Sequence, residues 1–197
     1  MRDEGEPSII AAITTEVISE LGRDRGRTFV VGPSAGGAMA AVTGETCNDL
    51  NSAAGSHSGL AYGSVDAVVS AFSTMRDDGG LASSPKRLAN RHRLRTIVLQ
   101  GSVDRTVHSS NADRIVEAVT SSGAGWAVRK KSGRSTGGRP YARTIVADSA
   151  DSPALECWLV EDAGQAWSGG HFAGTYTDPH GPDASSQTVR FFLEGQE

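Results

Sequence analysis

The apolar positions of the chain follow two different periods in turn. Ile9, Ile10, Ile13, Val17, Ile18 and Leu21 recur at helical spacing, with Pro7 near the first turn and Gly22 where such a helix stops. Phe29-Val30-Val31 is a short unbroken apolar run, and it predicts a buried strand over Thr28–Gly32. The small residues from Gly37 to Val42 predict a helix reaching about Glu45. Asn51 to Gly59 falls where an alternating pattern wants the next strand, but it is small and polar with no β-branched residue. From Asp66, a run with Val68, Val69, Phe72 and Met75 on one face reads as a helix.

Thr96–Gln100 predicts a second buried strand, and Asn111–Val119 an amphipathic helix with Ile115, Val116 and Val119 inward. Trp126–Lys131 and Tyr141–Ala147 flank the Gly-rich stretch Ser132–Pro140 and predict a hairpin with a long loop. Leu155–Val160 predicts a further strand. The stretch from Glu161 to Gly181 reads as a long loop, and Asp183 as the cap of a last helix carrying Val189, Phe192 and Leu193. Strands alternating with helices imply an α/β fold with a mostly parallel sheet. With 197 residues, no internal repeat and no linker, the expectation is one domain over residues 1–197.

Composition narrows the partners. The 19 Lys and Arg against 23 Asp and Glu leave a net charge of −4, which is no footprint for nucleic acid. The basic cluster Lys86–Arg95 is therefore read as a solvated loop and helix edge. No run approaches the roughly 18 apolar residues of a membrane span. The acidic start Met1–Pro7 lacks the basic and apolar regions of a signal peptide, and localisation stays open. Cys47 and Cys157 lie far apart without metal-ligand spacing and are read as free thiols; no metal site is expected.

The chemistry concentrates at Gly32-Pro33-Ser34-Ala35-Gly36. A strand, a Gly-x-Ser-x-Gly turn and a helix, in that order, form a nucleophile elbow. Such a turn strains Ser34 and lifts its hydroxyl to the top of the sheet. Gly32 and Gly36 are expected where strand and helix approach too closely for a Cβ. The N–H of Ala35, at the helix start, would face a developing oxyanion. A Gly-rich turn without chemistry is the competing reading; a phosphate loop lacks its Lys. A serine needs a base and an acid to orient that base, in the chain order Ser, Asp or Glu, His. Asp104, just past the strand Thr96–Gln100, fits the acid, against the plainer reading of a loop-capping Asp.

Five motifs in order carry a family resemblance. They are Gly-x-Ser-Ala-Gly-Gly-Ala-Met-Ala, His-Ser-Gly-Leu-x-Tyr-Gly (His57 to Gly63), Gly-x-x-Asp-x-x-Val-His (Gly101 to His108), Ala-Trp-Ser-Gly-Gly (Ala166 to Gly170) and Tyr-Thr-Asp-Pro-x-Gly-Pro-Asp-Ala-Ser (Tyr176 to Ser185). Together they resemble the polyhydroxybutyrate depolymerase esterases, α/β-hydrolases that cleave aliphatic polyesters and related short esters. The resemblance runs from Gly5 to Leu193. It implies Ser34 as nucleophile, Asp104 as orienting acid, no cofactor, and an ester or polyester substrate.

Two departures qualify what the resemblance implies. The family's Gly-His-Ala-Trp-Ser-Gly-Gly is here Gly164-Gln165-Ala166-Trp167, so Gln165 stands at the position of the general base. A glutamine can bond both Ser34 and Asp104 but has no basic nitrogen. His171 could replace it only if its loop swung back; His57, His108 and His180 read as polar packing and loop hydrogen bonds. The second departure is the short front. Ser34 follows one helix where the family has several strands, so the expected sheet is α/β-hydrolase-like but lacks the first strands. No residue then supplies the second oxyanion donor. Phe29-Val30-Val31 becomes an apolar edge with Asn51–Gly59 as its only neighbour, and the chain alone should be poorly soluble. The functional expectation is a serine esterase or depolymerase working through an acyl-enzyme on Ser34, with impaired activity. The alternative is a catalytically inactive remnant or an ester- or polymer-binding fragment.

Overall fold

A computed structural model describes residues 5–60, 94–121 and 125–194. The helix expected from Asp66, and the basic cluster up to Arg93, lie outside these residues. Six strands make one sheet: β1 (Phe29–Pro33), β2 (Ala53–His57), β3 (Arg95–Gly101), β4 (Ala127–Arg134), β5 (Pro140–Ala147) and β6 (Pro153–Val160). Their spatial order is β1-β2-β3-β6-β5-β4. β1, β2, β3 and β6 run parallel, and β5 and β4 follow antiparallel to them as a hairpin. Four helices are described: α1 (Gly5–Leu21), α2 (Ala35–Thr46), α3 (Ser110–Thr120) and α4 (Ala184–Leu193). Two short strands after β6, β7 (Trp167–Ser168) and β8 (Thr177–Asp178), pair parallel in a sheet of their own.

Alternation along the strands divides the core between the two faces. One face joins Ala53, Ile97, Leu99 and Trp158 to Phe191 and Phe192 of α4, with Phe29 stacked on Phe192 at 4.8 Å. The other joins Val98, Val146, Leu155 and Cys157 to Ile115, Val116 and Val119 of α3. Each buried side chain of this size contributes about 1.5–3 kcal/mol. Both cysteines are buried and free, and burial pushes the Cys157 thiol up to about 12.

β2 shows why its sequence pattern was faint. All five residues are buried, with a strand on either side. A Cβ on Gly55 would lie 2.7 Å from Val31 Cγ2, and one on Gly44 of α2 would lie 3.1 Å from Ala54 Cβ. The small residues are what this close packing requires. Among the described residues β1 has a strand on its β2 side only, and Val31 there is 44% exposed.

Two expectations change in detail. In α4 the inward residues are Ala184, Thr188, Phe191 and Phe192, while Val189 and Leu193 are exposed. Positions 184, 188, 191 and 192 share one face by helical period, and the Asp183 side chain caps the helix by accepting the Ser186 N–H. In the hairpin, β4 and β5 run on to Arg134 and Pro140, so the loop shrinks to residues 135–139. Gly133 sits opposite Tyr141, and a Cβ there would be 2.6 Å from the Tyr141 hydroxyl. The glycine lets the ladder continue where the composition read as loop.

One buried charge ties α4 to the sheet. Glu156 of β6 has no exposure; Arg143 of β5 and Arg190 of α4 both bridge it, and Trp158 Nε1 donates to it at 2.6 Å. α1 is attached more lightly, with Ile18 buried and Ile9, Ile13, Val17 and Leu21 exposed.

Candidate active site

The elbow follows from backbone sterics. Ser34 links β1 to α2 with φ 51° and ψ −121°, a positive φ that a side-chain-bearing residue rarely adopts. Its N–H donates to the carbonyl of His57 at 2.8 Å, and its carbonyl accepts the Ala38 N–H at 3.1 Å. A Cβ on Gly32 would lie 2.6 Å from the Gly36 backbone, so Gly32 is required. The expectation for Gly36 needs correcting: a Cβ there would meet only Pro33 Cδ, at 3.5 Å. The second tight position is Gly37, whose Cβ would lie 2.8 Å from Gly32 O and from Ser56 Oγ. Ala35 opens α2, so its N–H is among those at a helix start that have no acceptor within the helix.

Gln165 meets Ser34 directly, its Nε2 donating to Ser34 Oγ at 2.6 Å. Asp104 is placed differently. It is buried, 3% exposed, in the loop after β3. Its Oδ1 accepts the N–H groups of Thr106 and Val107, each at 2.9 Å, and its Oδ2 accepts Gln100 Nε2 at 3.3 Å. These partners all lie within β3 and its own loop. Of the two partners a glutamine can bond there, Gln165 bonds Ser34, and the Asp104 carboxylate accepts from Gln100 and from its own loop.

Above Ser34 lies a cavity of about 490 Å³, lined among others by His57, Gln165, Trp167, Tyr176 and Thr177. The loop after β6 forms this wall and is fastened at several points. Ser168 N–H donates to His57 Nε2 at 3.0 Å, and Ser168 Oγ donates to Pro182 O at 2.7 Å. Trp167 stacks on the His57 imidazole at 5.1 Å, and its Nε1 donates to Ser185 Oγ at 3.1 Å. Its N–H donates to the carbonyl of Tyr176 at 2.7 Å. Tyr176 itself has φ 56° and is 80% exposed at the rim, a strained backbone beside the cavity.

The histidines separate by position. Burial pushes His57 down to about 4, against the opposing pull of the Asp104 carboxylate, so the imidazole is neutral at pH 7. Because Nε2 accepts from Ser168, the proton sits on Nδ1, which faces Ser58 Oγ at 3.3 Å. Its free lone pair is therefore committed, and it has none left for the Ser34 proton. His171 is exposed, its Nδ1 accepts the Ala173 N–H at 3.1 Å, and it does not line the cavity. His108 and His180 are exposed; His108 Nδ1 faces Ser110 Oγ at 3.1 Å in its own loop, and His180 Nδ1 faces the Gly137 carbonyl of the β4–β5 loop at 3.2 Å. Tyr176 carries no sequence signal beyond the motif that contains it. Among the described residues no group of three His, Cys, Asp or Glu side chains is placed to hold a metal ion, and no helix is long and apolar enough to cross a membrane.

Comparison with known proteins bears on the family and the fold. A profile of the family described as Esterase PHB depolymerase matches residues 2–124, more than half of the chain, including Ser34 and Asp104 but not Gln165. No curated protein matches the sequence. Among solved structures, an acetyl xylan esterase from Aspergillus awamori aligns at TM-score 0.66 and 21% identity, over 95% of this chain and 67% of that one. A PHB depolymerase from Penicillium funiculosum aligns at TM-score 0.52 and 14% identity, over 87% and 53%. A PHB depolymerase complexed with an R3HB trimer aligns at TM-score 0.51 and 12% identity, over 86% and 52%. At such identities these neighbours speak for the fold, an α/β-hydrolase arrangement. The chain spans between about half and two thirds of their lengths.

Proposed function

We propose that this chain, which belongs to the PHB depolymerase family of esterases, binds an aliphatic ester or polyester segment over Ser34 and hydrolyses it slowly through an acyl-enzyme. Ser34 Oγ would attack the ester carbonyl, its proton passing through solvent water to the departing alkoxide so that the alcohol leaves, and a second water would hydrolyse the acyl-enzyme, releasing the acid and returning a proton to Ser34. The Ala35 N–H would stabilise the oxyanion. In this reading Asp104 would correspond to the orienting acid and Gln165 to the base. The observation that carries the reading is the 2.6 Å contact from Gln165 Nε2 to Ser34 Oγ. The contact supports the reading that an amide stands in for the proton acceptor, and an amide nitrogen has no basic lone pair. Losing the base of a triad costs on the order of 10⁶ in turnover and leaves roughly 10³ over water from the oxyanion donors and binding.

The second reading, an ester- or polymer-binding fragment without turnover, is favoured by the Asp104 carboxylate. Its bonds to Thr106, Val107 and Gln100 leave it serving its own loop. The Gln165→His variant decides between the two. Turnover of a short p-nitrophenyl ester should rise by on the order of 10² or more, and Ser34→Ala in that background should abolish it. If Gln165→His leaves turnover at the buffer rate while the ester analogue still binds, the binding reading holds.

A further inference from the structure

The imidazole of His57 serves neither as base nor as exposed polar surface, yet it touches both halves of the site. Its carbonyl receives the Ser34 N–H at 2.8 Å, so its main chain holds the elbow. Its ring stacks on Trp167, two residues past Gln165, at 5.1 Å with the planes inclined by 30°. Its Nε2 takes the Ser168 N–H, from a residue 111 positions away in the chain. Ser58, which faces Nδ1, is itself fixed by its N–H to Leu99 O at 2.8 Å. The ring is thus anchored in the sheet on one side and grips the loop on the other.

We propose that His57 is a positioning residue: its neutral imidazole, accepting at Nε2 and stacked under Trp167, sets where the Gln165 loop stands relative to Ser34. The physical case is the loop's composition. Residues 161–176 contain no helix, and Trp167–Ser168 is a strand of two residues. The main-chain bonds on either side of Ser168, Trp167 N–H to Tyr176 O and Gly169 N–H to Asp178 O, tie the segment to the same loop and not to the sheet that carries Ser34. Side-chain anchors from a rigid element must supply the precision with which the loop meets Ser34. The Trp167 indole and Ser168 hydroxyl reach α4 and the segment leading into it through Ser185 and Pro182. The main-chain N–H of Ser168 is fastened to the sheet by His57. A cation would abolish this grip, because both ring nitrogens would then be donors. The buried setting that keeps the ring neutral, against the charge of Asp104, is therefore part of the device.

The inference rests on Ser34 being the reacting centre, and its test is chosen to survive the failure of that reading. Amide exchange is followed by mass spectrometry on the full chain, its His57→Phe variant and its His57→Gln variant. Phenylalanine keeps a flat ring under Trp167 but offers no acceptor. Glutamine places an amide oxygen near the position of Nε2. The expected result is at least 10-fold faster exchange in peptides covering 165–170 for His57→Phe, unchanged exchange in β3, and recovered protection for His57→Gln. Unchanged loop exchange in His57→Phe overturns the proposal, as does an equal acceleration in β3, which would mean a purely structural role. In the Gln165→His background, the same pair should lower and restore kcat for the p-nitrophenyl ester, His57→Phe by roughly 10- to 100-fold. A background with no turnover sinks the esterase reading, while the exchange data still judge His57.

Discussion

The elbow and the Gln165 loop line one cavity and meet at Ser34 but are held by different means. The elbow is fixed by main-chain contact over a few residues. Gly32 faces the Gly36 backbone, Gly37 faces Gly32 O, and Ser34 is left no conformation but its strained one. The Gln165 loop is fixed by side chains far off in sequence: His57, Ser185, and the helix α4 that Glu156 clamps to the sheet. Local sterics leave little room for drift, since a single Cβ breaks the turn. A loop held by scattered anchors tolerates change at its tip so long as the anchors stay. That difference explains how a side chain without a basic nitrogen can stand against Ser34 with the surrounding geometry intact: the chemistry of Gln165 is not what holds the loop.

The largest effect should come from the clamp. Glu156→Ala removes the buried carboxylate shared by Arg143, Arg190 and the Trp158 N–H; Arg190 keeps Glu194, while both guanidinium groups face a buried gap where Glu156 stood. Breaking a buried pair this way costs about 3–5 kcal/mol, read as a lowered denaturation midpoint. Exchange in α4 and the 161–183 segment should accelerate more than exchange in α2. If the elbow amides open equally, the two walls share one support and the contrast fails.

Next is the elbow itself. In Gly32→Ala the new methyl would sit 2.6 Å from the Gly36 backbone, which has no flexible side chain to yield. The strand-to-helix junction must move, at a cost of about 2 kcal/mol. The disturbance should stay near Ser34, leaving the Trp167 environment unchanged by NMR. Gly36→Ala is the control: with its nearest contact at 3.5 Å, it should cost far less.

What could be read from the sequence follows the same division. β1, the elbow, β3 and β6 were legible because their signals are contiguous: apolar runs and a five-residue turn. Asp183 was legible as a cap because capping acts over three residues. β2 was faint because its small residues answer to Val31 and α2, which local composition does not reveal. The base position was visible only through resemblance to a family. That Gln165 meets Ser34 while Asp104 bonds its own loop depends on how two remote loops close, and no spacing encodes that. His57 read as polar packing because Ser168, its partner, lies in another motif altogether.

The smallest effect should come from the end of the Gln165 loop. Asp183 caps α4, its Oδ1 accepting the Ser186 N–H at 3.0 Å and its Oδ2 the Ser186 hydroxyl at 2.6 Å. These bonds to Ser186 hold its carboxyl below the usual carboxylate range. A group whose folded pKa is depressed contributes stability that is complete above its unfolded pKa and disappears as pH falls through the lower folded value. Asp183→Ala should therefore cost about 1 kcal/mol at neutral pH and progressively less on acidification. Asp183→Asn keeps a capping oxygen and should lose little, with no such pH dependence from this position. If Asp183→Ala instead loosens the Trp167 contact to Ser185 as much as Glu156→Ala does, the loop hangs chiefly on the start of α4. The buried clamp would then be secondary to the cap.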